Sequence, residues 1–355
     1  MNKPFRTGLV VGKFCPLHRG HESVIEKALS QCDEVVVISY TKPEFDGCGP
    51  LVRQAWITAL FPAVICLSID DGLLRQRCRA QGIARIPEVP HNAAPEFEHR
   101  EFVAWLCLGV LHRTVDAVFT SETYGDGFAQ VLTQYFRARD AASAVVRHIC
   151  VDQARQAFSI SGTLLRSNPH RFRQYLSPAV YAAFVRRVCF LGGESSGKTS
   201  LTQALAARLQ TNWVPEYGRE LWEAKSGELE YEDMLQIGIR QREREAQLAR
   251  EANVYLPCDT SPLTTLFYSR EMFGKADPEL ERLAEQSYDH VFVCAPDFPF
   301  VQDGTRRDEA FRNAQHEWYL RELALRAVTF TVVSGSIERR LETVLHCLGQ
   351  TAAHS

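Results

Sequence analysis

The chain has no long apolar run. Its segments fall short of the roughly 18 to 20 consecutive apolar residues that a membrane-spanning helix needs. The opening stretch, MNKPFRTGLVVGKFCPLH, breaks its short apolar run at Lys13 and has no small-residue cleavage site, so a secretory leader is not expected. Paired cysteines are also missing: the eleven thiols are odd in number, scattered singly, and never spaced as CxxC. That pattern speaks against a disulfide framework or a zinc cluster and points to a reducing, cytoplasmic setting. Charge of one sign is lacking too. With 40 Lys+Arg against 43 Asp+Glu the net charge is −3, which leaves no electrostatic footprint for a nucleic acid or a membrane surface. Low-complexity tracts and short-period repeats are absent, which excludes solenoids and long disordered arms.

What is present is an ordinary globular composition, 45% hydrophobic and 23% charged, spread over 355 residues. A chain of that length exceeds the size at which single cores stop growing, so two domains are expected. Short β-branched runs alternate with helix-length segments: Gly8 to Phe14, a helix near Arg19 to Ser30, then runs at Asp33 to Ser39 and Ala63 to Ser68. A helix near Glu96 to Leu111 follows, with further runs at Ala117 to Phe119 and Val145 to Val151. Such alternation implies parallel strands joined by crossover helices. Asp70 to Pro95, with Pro87, Pro90 and Pro95, reads as an irregular insertion or a loop near the site. A short helix from Pro178 ends in Arg186 and Arg187, and a new strand, Val188 to Leu191, begins at once. The pattern then restarts with helices at Gly197 to Leu209 and Tyr231 to Glu251, and strands at Val254 to Cys258, His290 to Cys294 and Val328 to Val333. The expectation is an α/β protein of two domains, residues 1–186 and 187–355, each built on its own parallel sheet.

In the second half, Gly192-Gly193-Glu194-Ser195-Ser196-Gly197-Lys198-Thr199 matches GxxxxGK[ST] directly after an apolar strand and directly before a helix that opens at Ser200. The glycines let successive backbone N–H groups and the helix N-terminus face phosphates. Lys198 adds a point charge for the β and γ phosphates, and the Thr199 hydroxyl suits Mg²⁺. About sixty residues on, the apolar strand ending in Asp259 offers a carboxylate to the same metal; a helix N-cap before Ser261-Pro262 is its plainer reading. Arg306 and Arg307 in Gln302-Asp-Gly-Thr-Arg306-Arg307 suit a closing loop that neutralises a transferring phosphoryl group, or a solvated turn. Pro215-Glu216-Tyr217-Gly218-Arg219-Glu220 suits either an acceptor site or a charged helix start.

In the first half, Gly12-Lys13-Phe14-Cys15-Pro16-Leu17-His18-Arg19-Gly20-His21 joins the first strand to the first helix and has the form HxGH. Two imidazoles on one face of a helix N-terminus can both donate to a triphosphate. Zinc ligation is the competing reading and lacks a third ligand at matching spacing. Far downstream, Ile160-Ser161-Gly162-Thr163-Leu164-Leu165-Arg166 again opens a helix with hydroxyls and a positive charge, as a cap alone would or as a phosphate site would. Together the two segments carry the signature of the nucleotidylyltransferase superfamily on a Rossmann-like sheet.

Read in order, GKFCPLHRGH, Phe119-Thr-Ser-Glu-Thr-Tyr-Gly-Asp126, ISGTLLR, LGGESSGKTSL, PEYGREL, CDTSPLTT and QDGTR make the chain resemble the bifunctional nicotinamide-mononucleotide adenylyltransferase/ribosylnicotinamide kinases of the NadR type over nearly its whole length. The resemblance implies NAD biosynthesis from small-molecule substrates, with ATP as co-substrate and Mg²⁺ as cofactor. It implies that His18, His21, Ser161, Thr163 and Arg166 hold ATP in the first domain, beside Gly12, Lys13 and Phe14. In the second domain, residues Gly192 to Ser200 would hold ATP, Thr199 and Asp259 the metal, and Arg306 the closing loop. Glu216 or Asp259 would orient the ribose 5′-hydroxyl. Some members carry an N-terminal helix-turn-helix; here the HxGH segment begins by residue 12, so DNA binding is not expected. Cys15 and the Pro257-containing strand depart from the usual pattern, and Pro257 should mark a sheet edge or a strand end. A cytidylyl or pantetheine-type transferase fused to another kinase, and a nucleotide sensor without turnover, remain open. Homo-oligomerisation is compatible with all of these.

Overall fold

A computed structural model describes residues 3–121, 125–151, 160–300 and 307–350 of the chain. The chain divides into two compact units, Met1–Ala183 and Phe184–Ser355.

The first unit runs β1 (Phe5–Gly12), α1 (Arg19–Gln31), β2 (Cys32–Tyr40), α2 (Pro50–Leu60), β3 (Ile65–Ile69), α3 (Asp71–Ala80) and α4 (Glu96–Trp105). It continues with β4 (Ala117–Thr120), α5 (Gly125–Arg137), β5 (Arg147–Cys150), α6 (Gly162–Ser167) and α7 (Pro178–Tyr181). The strands form one parallel sheet in the order β3-β2-β1-β4-β5, with Val10 opposite Val37 on one side and Phe119 on the other. Helices cover both faces, so β2 is buried at six consecutive positions from Val35 to Tyr40, the continuous apolar run expected of a doubly covered parallel strand. Leu9, Val36, Ile38 and Leu67 of the sheet pack with Phe102, Phe128, Leu132 and Phe136 of the helices. The chain order reverses beside β1, which opens a crevice beyond the C-terminal ends of β1 and β4, where ligands bind in such sheets.

Two expectations for this unit need correction. The stretch from Asp70 to Pro95 is not irregular throughout: α3 occupies its first third. Asp70 caps that helix by accepting from Leu73 N–H at 2.8 Å, and Leu74 and Cys78, one turn apart, fill the core. All three prolines lie beyond its end. The helix expected up to Leu111 ends at Trp105 and passes into a wider π turn over Leu106–Val110.

The second unit runs β6 (Arg186–Leu191), α8 (Lys198–Leu209), α9 (Tyr217–Ala224), α10 (Tyr231–Leu248), β7 (Tyr255–Asp259) and α11 (Pro262–Phe273). It continues with α12 (Pro278–Ala284), β8 (His290–Cys294), α13 (Glu309–Leu325), β9 (Thr331–Val333) and α14 (Ile337–Cys347). Its parallel sheet has the order β7-β6-β8-β9 and again reverses beside the first strand. Arg186 and Arg187 open β6 rather than closing the preceding helix. Pro257 lies in edge strand β7, and its carbonyl accepts from Val214 N–H at 2.9 Å on the side away from β6. The position that lacks an N–H therefore faces outward and costs no ladder bond. Among the described residues no helix is long and apolar enough to cross a membrane.

Candidate functional site

Each unit carries a cavity at its switch point. In the first unit the cavity measures about 520 Å³ and is lined by Gly12, Lys13, Phe14, His21, Thr163 and Arg166 among others. His18 is the N-cap residue of α1, with extended backbone, and it lies almost buried against His21, the rings stacked at 3.7 Å between centroids. Phe14 meets His21 edge-on at 4.9 Å and holds it from the other side. Phe14 adopts φ 49, a left-handed conformation uncommon for a side-chain-bearing residue. Such backbone persists where the surroundings over-determine it, as at ligand clamps.

Arg166 ties the two distant motifs together. Its guanidinium donates to the Cys15 carbonyl and to Thr163 Oγ1 (3.1 Å) and lies 3.9 Å above the Phe45 ring. Ser161 accepts from Leu164 N–H at 3.3 Å and is the cap of α6, so its hydroxyl serves the helix itself. The loop that carries Phe45 is braced by the fully buried Arg53, which pairs with Glu44 and donates to the carbonyls of Cys48 (2.6 Å) and Ile69 (3.3 Å). On the far wall of the cavity Tyr40 and His99 share a hydrogen bond of 3.0 Å. Burial and, next, the nearby Lys13 charge push the His99 pKa down, favouring the neutral ring.

In the second unit the loop from Gly192 to Gly197 wraps the N-terminus of α8. Gly197 caps that helix with φ 81, a left-handed turn that glycine adopts without strain. Lys198 Nζ donates to the Gly192 and Gly193 carbonyls at 3.0 Å each, which folds the ammonium across the loop mouth. Thr199 Oγ1 donates to Asp259 Oδ2 at 2.6 Å. Asp259 is 1% exposed, and its second oxygen, Oδ1, has no hydrogen-bond partner among the described residues. An orphan carboxylate oxygen beside a hydroxyl is the donor set that a hard cation takes. Burial raises the Asp259 pKa, against the pull of Lys198 and the Thr199 hydrogen bond. Glu216, at the start of α9, is likewise raised, first by burial and then by the Asp259 charge, while Lys198 and Arg219 pull it down.

Lys198, Thr199 and Glu216 line a cavity of about 450 Å³ with Trp222, Met234, Tyr268 and Arg307, and Asp259 sits behind Thr199. Glu194 accepts from the Tyr268 hydroxyl and the Arg307 backbone N–H, both at 2.8 Å. Gln302, Arg306 and the residues between them lie outside the described residues.

A family described as an AAA domain matches residues 187–340. Over 318 residues, 84% of this chain, the sequence is 28% identical to the trifunctional NAD biosynthesis/regulator protein NadR of Escherichia coli (strain K12), of which the match covers 71%. The chain is thus similar to NadR proteins over most of its length. The fold agrees: a crystal structure of NadR protein in complex with NAD and AMP-PNP matches 99% of this chain and 98% of its own with a TM-score of 0.68 at 19% identity. A second, of NadR protein in complex with NR, matches 99% and 97% with a TM-score of 0.64 at 20% identity.

In this chain the motifs are held by residues that carry no motif. Arg340 is fully buried and donates to the Ser196 carbonyl of the phosphate loop (2.7 Å), to Ala295 and to Gly335, while paired with Asp297. Gln241 accepts from Tyr217 N–H at 3.0 Å and donates to the Asp259 carbonyl, so it links the start of α9 to the end of β7. Neither residue announces itself locally; only the oddity of an arginine within an apolar helix face hints at Arg340.

Proposed function

We propose that the chain performs two steps of NAD biosynthesis and salvage. Residues 1–186 transfer the adenylyl group of ATP to nicotinamide mononucleotide, giving NAD and pyrophosphate, and residues 187–355 use ATP to phosphorylate ribosylnicotinamide. The observation that carries this reading is the pairing, in one chain similar to NadR proteins, of two separate helix N-termini, each facing a cavity with its own cationic set. Its partners are small-molecule substrates, and the unpaired state of all eleven cysteines suits a cytoplasmic location.

In the first reaction a phosphate oxygen of the mononucleotide attacks the α-phosphorus of ATP, and pyrophosphate leaves. The acceptor brings its own anion, so no protein nucleophile is needed and catalysis rests on positioning and charge. His21, Lys13, Thr163 and Arg166 reach the cavity and hold the phosphates, on the turn that Gly12 and Phe14 shape. His18 supports His21 by stacking, and Ser161 holds α6 in place.

In the second reaction the backbone from Gly192 through Glu194, Ser195 and Ser196 to Ser200 cradles the phosphates of ATP, and Lys198 takes the charge on the β and γ groups. Thr199 and Asp259 would hold Mg²⁺, which when bound neutralises charge on the same phosphates. Glu216 accepts the proton of the ribose 5′-hydroxyl. Its raised pKa suits a base that must bind a proton during the step and release it afterwards. Arg306 completes the charge balance on the transferred phosphoryl group.

Incubation of the purified chain with ribosylnicotinamide, ATP and Mg²⁺, with chromatographic separation of products, tests both assignments. Wild type should form NAD, Lys198→Ala should stop before the mononucleotide, and His21→Ala should accumulate it. A wild-type protein that leaves both ribosylnicotinamide and added mononucleotide unchanged would overturn the reading.

A further inference from the structure

Two cysteines meet at the wall of the first cavity, and the proposed reaction uses neither thiol. Cys15 lies in the loop between β1 and α1, and Cys48, 33 residues further on, lies just ahead of α2. Cys15 Sγ is 3.0 Å from the Lys13 carbonyl oxygen and 3.8 Å from that of Cys48. One nitrogen of the buried Arg53, Nη1, spans the pair, donating to Cys15 Sγ at 3.8 Å and to the Cys48 carbonyl at 2.6 Å. The two thiols are hydrogen-bonded to each other. Cys48 is fully buried, whereas Cys15, 2% exposed, is among the residues that line the cavity. A solute as small as hydrogen peroxide therefore reaches the pair by the route the nucleotide takes.

The pair differs from the other buried thiols. Burial pushes Cys66 up to about 11 and Cys107 up to about 12, which keeps both protonated and inert. Cys48 is pushed down, first by the hydrogen bond from Cys15 and then, against burial, by the Arg166 and Arg53 charges. Cys15 is pushed up by the same hydrogen bond and by burial, so the pair ionises at Cys48. A thiolate beside a second thiol is the arrangement of redox-sensing cysteines, and the disulfides of reducing compartments are transient ones of this kind. We infer that Cys15 and Cys48 are an oxidation site, joined as a disulfide by peroxide, and that the bond disables the nucleotide cavity of the first unit. One sulfur attacks a peroxide oxygen and the O–O bond breaks, leaving a sulfenic acid and water. The second sulfur attacks the sulfenic sulfur, the S–S bond forms, the S–O bond breaks, and the departing hydroxide takes the second thiol's proton as water. Two electrons pass from the sulfurs to the peroxide.

The effect on activity rests on the proposed adenylyl transfer, and it follows from what each cysteine's backbone holds. Arg166 donates to the Cys15 carbonyl and lies over the Phe45 ring, and the Phe45 carbonyl accepts from Cys48 N–H at 2.9 Å. Both contacts that seat Arg166 are thus tied to the two cysteines. A covalent bond sets two sulfurs far closer than a hydrogen bond does, so the two loops must close on each other. Residue 15 is already wedged against the start of α6, where a Cβ added at Gly162 would lie 2.9 Å from the Cys15 carbonyl oxygen. The segment from Phe45 to Cys48 therefore takes up the movement, and Arg166 loses the ring beneath it and its place among the phosphate-holding groups.

The test treats the reduced full chain with hydrogen peroxide, blocks remaining thiols with iodoacetamide, and examines a digest by mass spectrometry. Both activities are assayed before treatment, after it, and after dithiothreitol. Wild type should yield peptides joined through Cys15 and Cys48, and adenylyl transfer should fall roughly 10²-fold, the loss that a misplacement on the order of 1 Å produces. Dithiothreitol should restore the rate. Ribosylnicotinamide phosphorylation, in the unit that contains neither cysteine, should change less than about twofold. In Cys48→Ala and Cys48→Ser, which keep the carbonyl that serves Arg53, treated and untreated rates of adenylyl transfer should agree within the same margin. Absence of the joined peptides, a joined protein with an unchanged rate, or a loss in both Cys48 variants equal to that of wild type would overturn the inference. A reduced wild type that makes no NAD from the mononucleotide removes the adenylyl-transfer reading instead, and the joined peptides still decide whether the pair is an oxidation site.

Discussion

Replacement of Arg340 by methionine tests whether the phosphate loop is held from behind. The guanidinium is fully buried and lies 4.3 Å over the Phe298 ring, with three backbone carbonyls and Asp297 as acceptors. Methionine keeps most of the aliphatic stem, so the core around α14 stays filled, but the stacking of the guanidinium on Phe298 is lost with its hydrogen bonds. The acceptors lose their donors. Ser196 O is buried and should cost up to about 2 to 3 kcal/mol, while Ala295 O and Gly335 O are half-buried and should cost about 1 kcal/mol each. Asp297 is 36% exposed and keeps Gly335 N–H, so water can take over the rest of its hydrogen bonding. The sum is about 4 kcal/mol, within the range for breaking a buried ion pair from one side. For a unit of this size that lowers the unfolding temperature by about 8 to 16 °C. Calorimetry of the full chain reads the shift, and hydrogen exchange should confine it to the second unit and centre it on the phosphate loop. A shift below about 3 °C, or protection lost equally in both units, would refute the argument.

Two further predictions bear on the kinase reaction. Glu216→Gln should lower kcat for nucleoside phosphorylation about 10²- to 10⁴-fold with little change in KM, the usual loss of a general base. It should also abolish an acid limb that wild type shows above the ordinary carboxylate range, because burial and Asp259 hold Glu216 protonated to higher pH. The same raised pKa sets the sign for stability: the contribution of Glu216 is full below its unfolded pKa and is lost as pH rises through the folded one. Glu216→Gln should therefore leave the protein as stable as wild type or more so at neutral pH, and a destabilised variant would contradict the assignment. Thr199→Val removes the hydroxyl that donates to Asp259. A Mg²⁺ titration of the kinase step should need about tenfold more metal, on the order of one charge-assisted hydrogen bond, while an unchanged titration would argue against metal at Thr199.

The parts of both sites that were legible in the sequence are those whose chemistry is packed into consecutive residues. Gly192 to Thr199 could be read because one loop must supply backbone donors, an ammonium and a hydroxyl within a single turn, and HxGH because two imidazoles must share one helix end. Helix α3 was missed for the opposite reason: three prolines further along coloured the whole stretch, although Asp70 as cap and the Leu74–Cys78 pair were already there to be read. Arg340 and Ser196 are 144 residues apart, Arg166 and Cys15 151, and Thr120 and His148 28. No local spacing encodes those meetings, since strand register and helix packing create them. Arg53 shows the consequence: within α2 it looks like any basic residue of a surface helix, yet it is fully buried and braces the loop that brings Phe45 under Arg166. The motif residues name the reactions, but the geometry in which they act is set by buried arginines and cross-strand hydrogen bonds. Substitutions at Arg53 or Arg340 should therefore alter catalysis as surely as substitutions in the motifs, and through position rather than through contact with substrate.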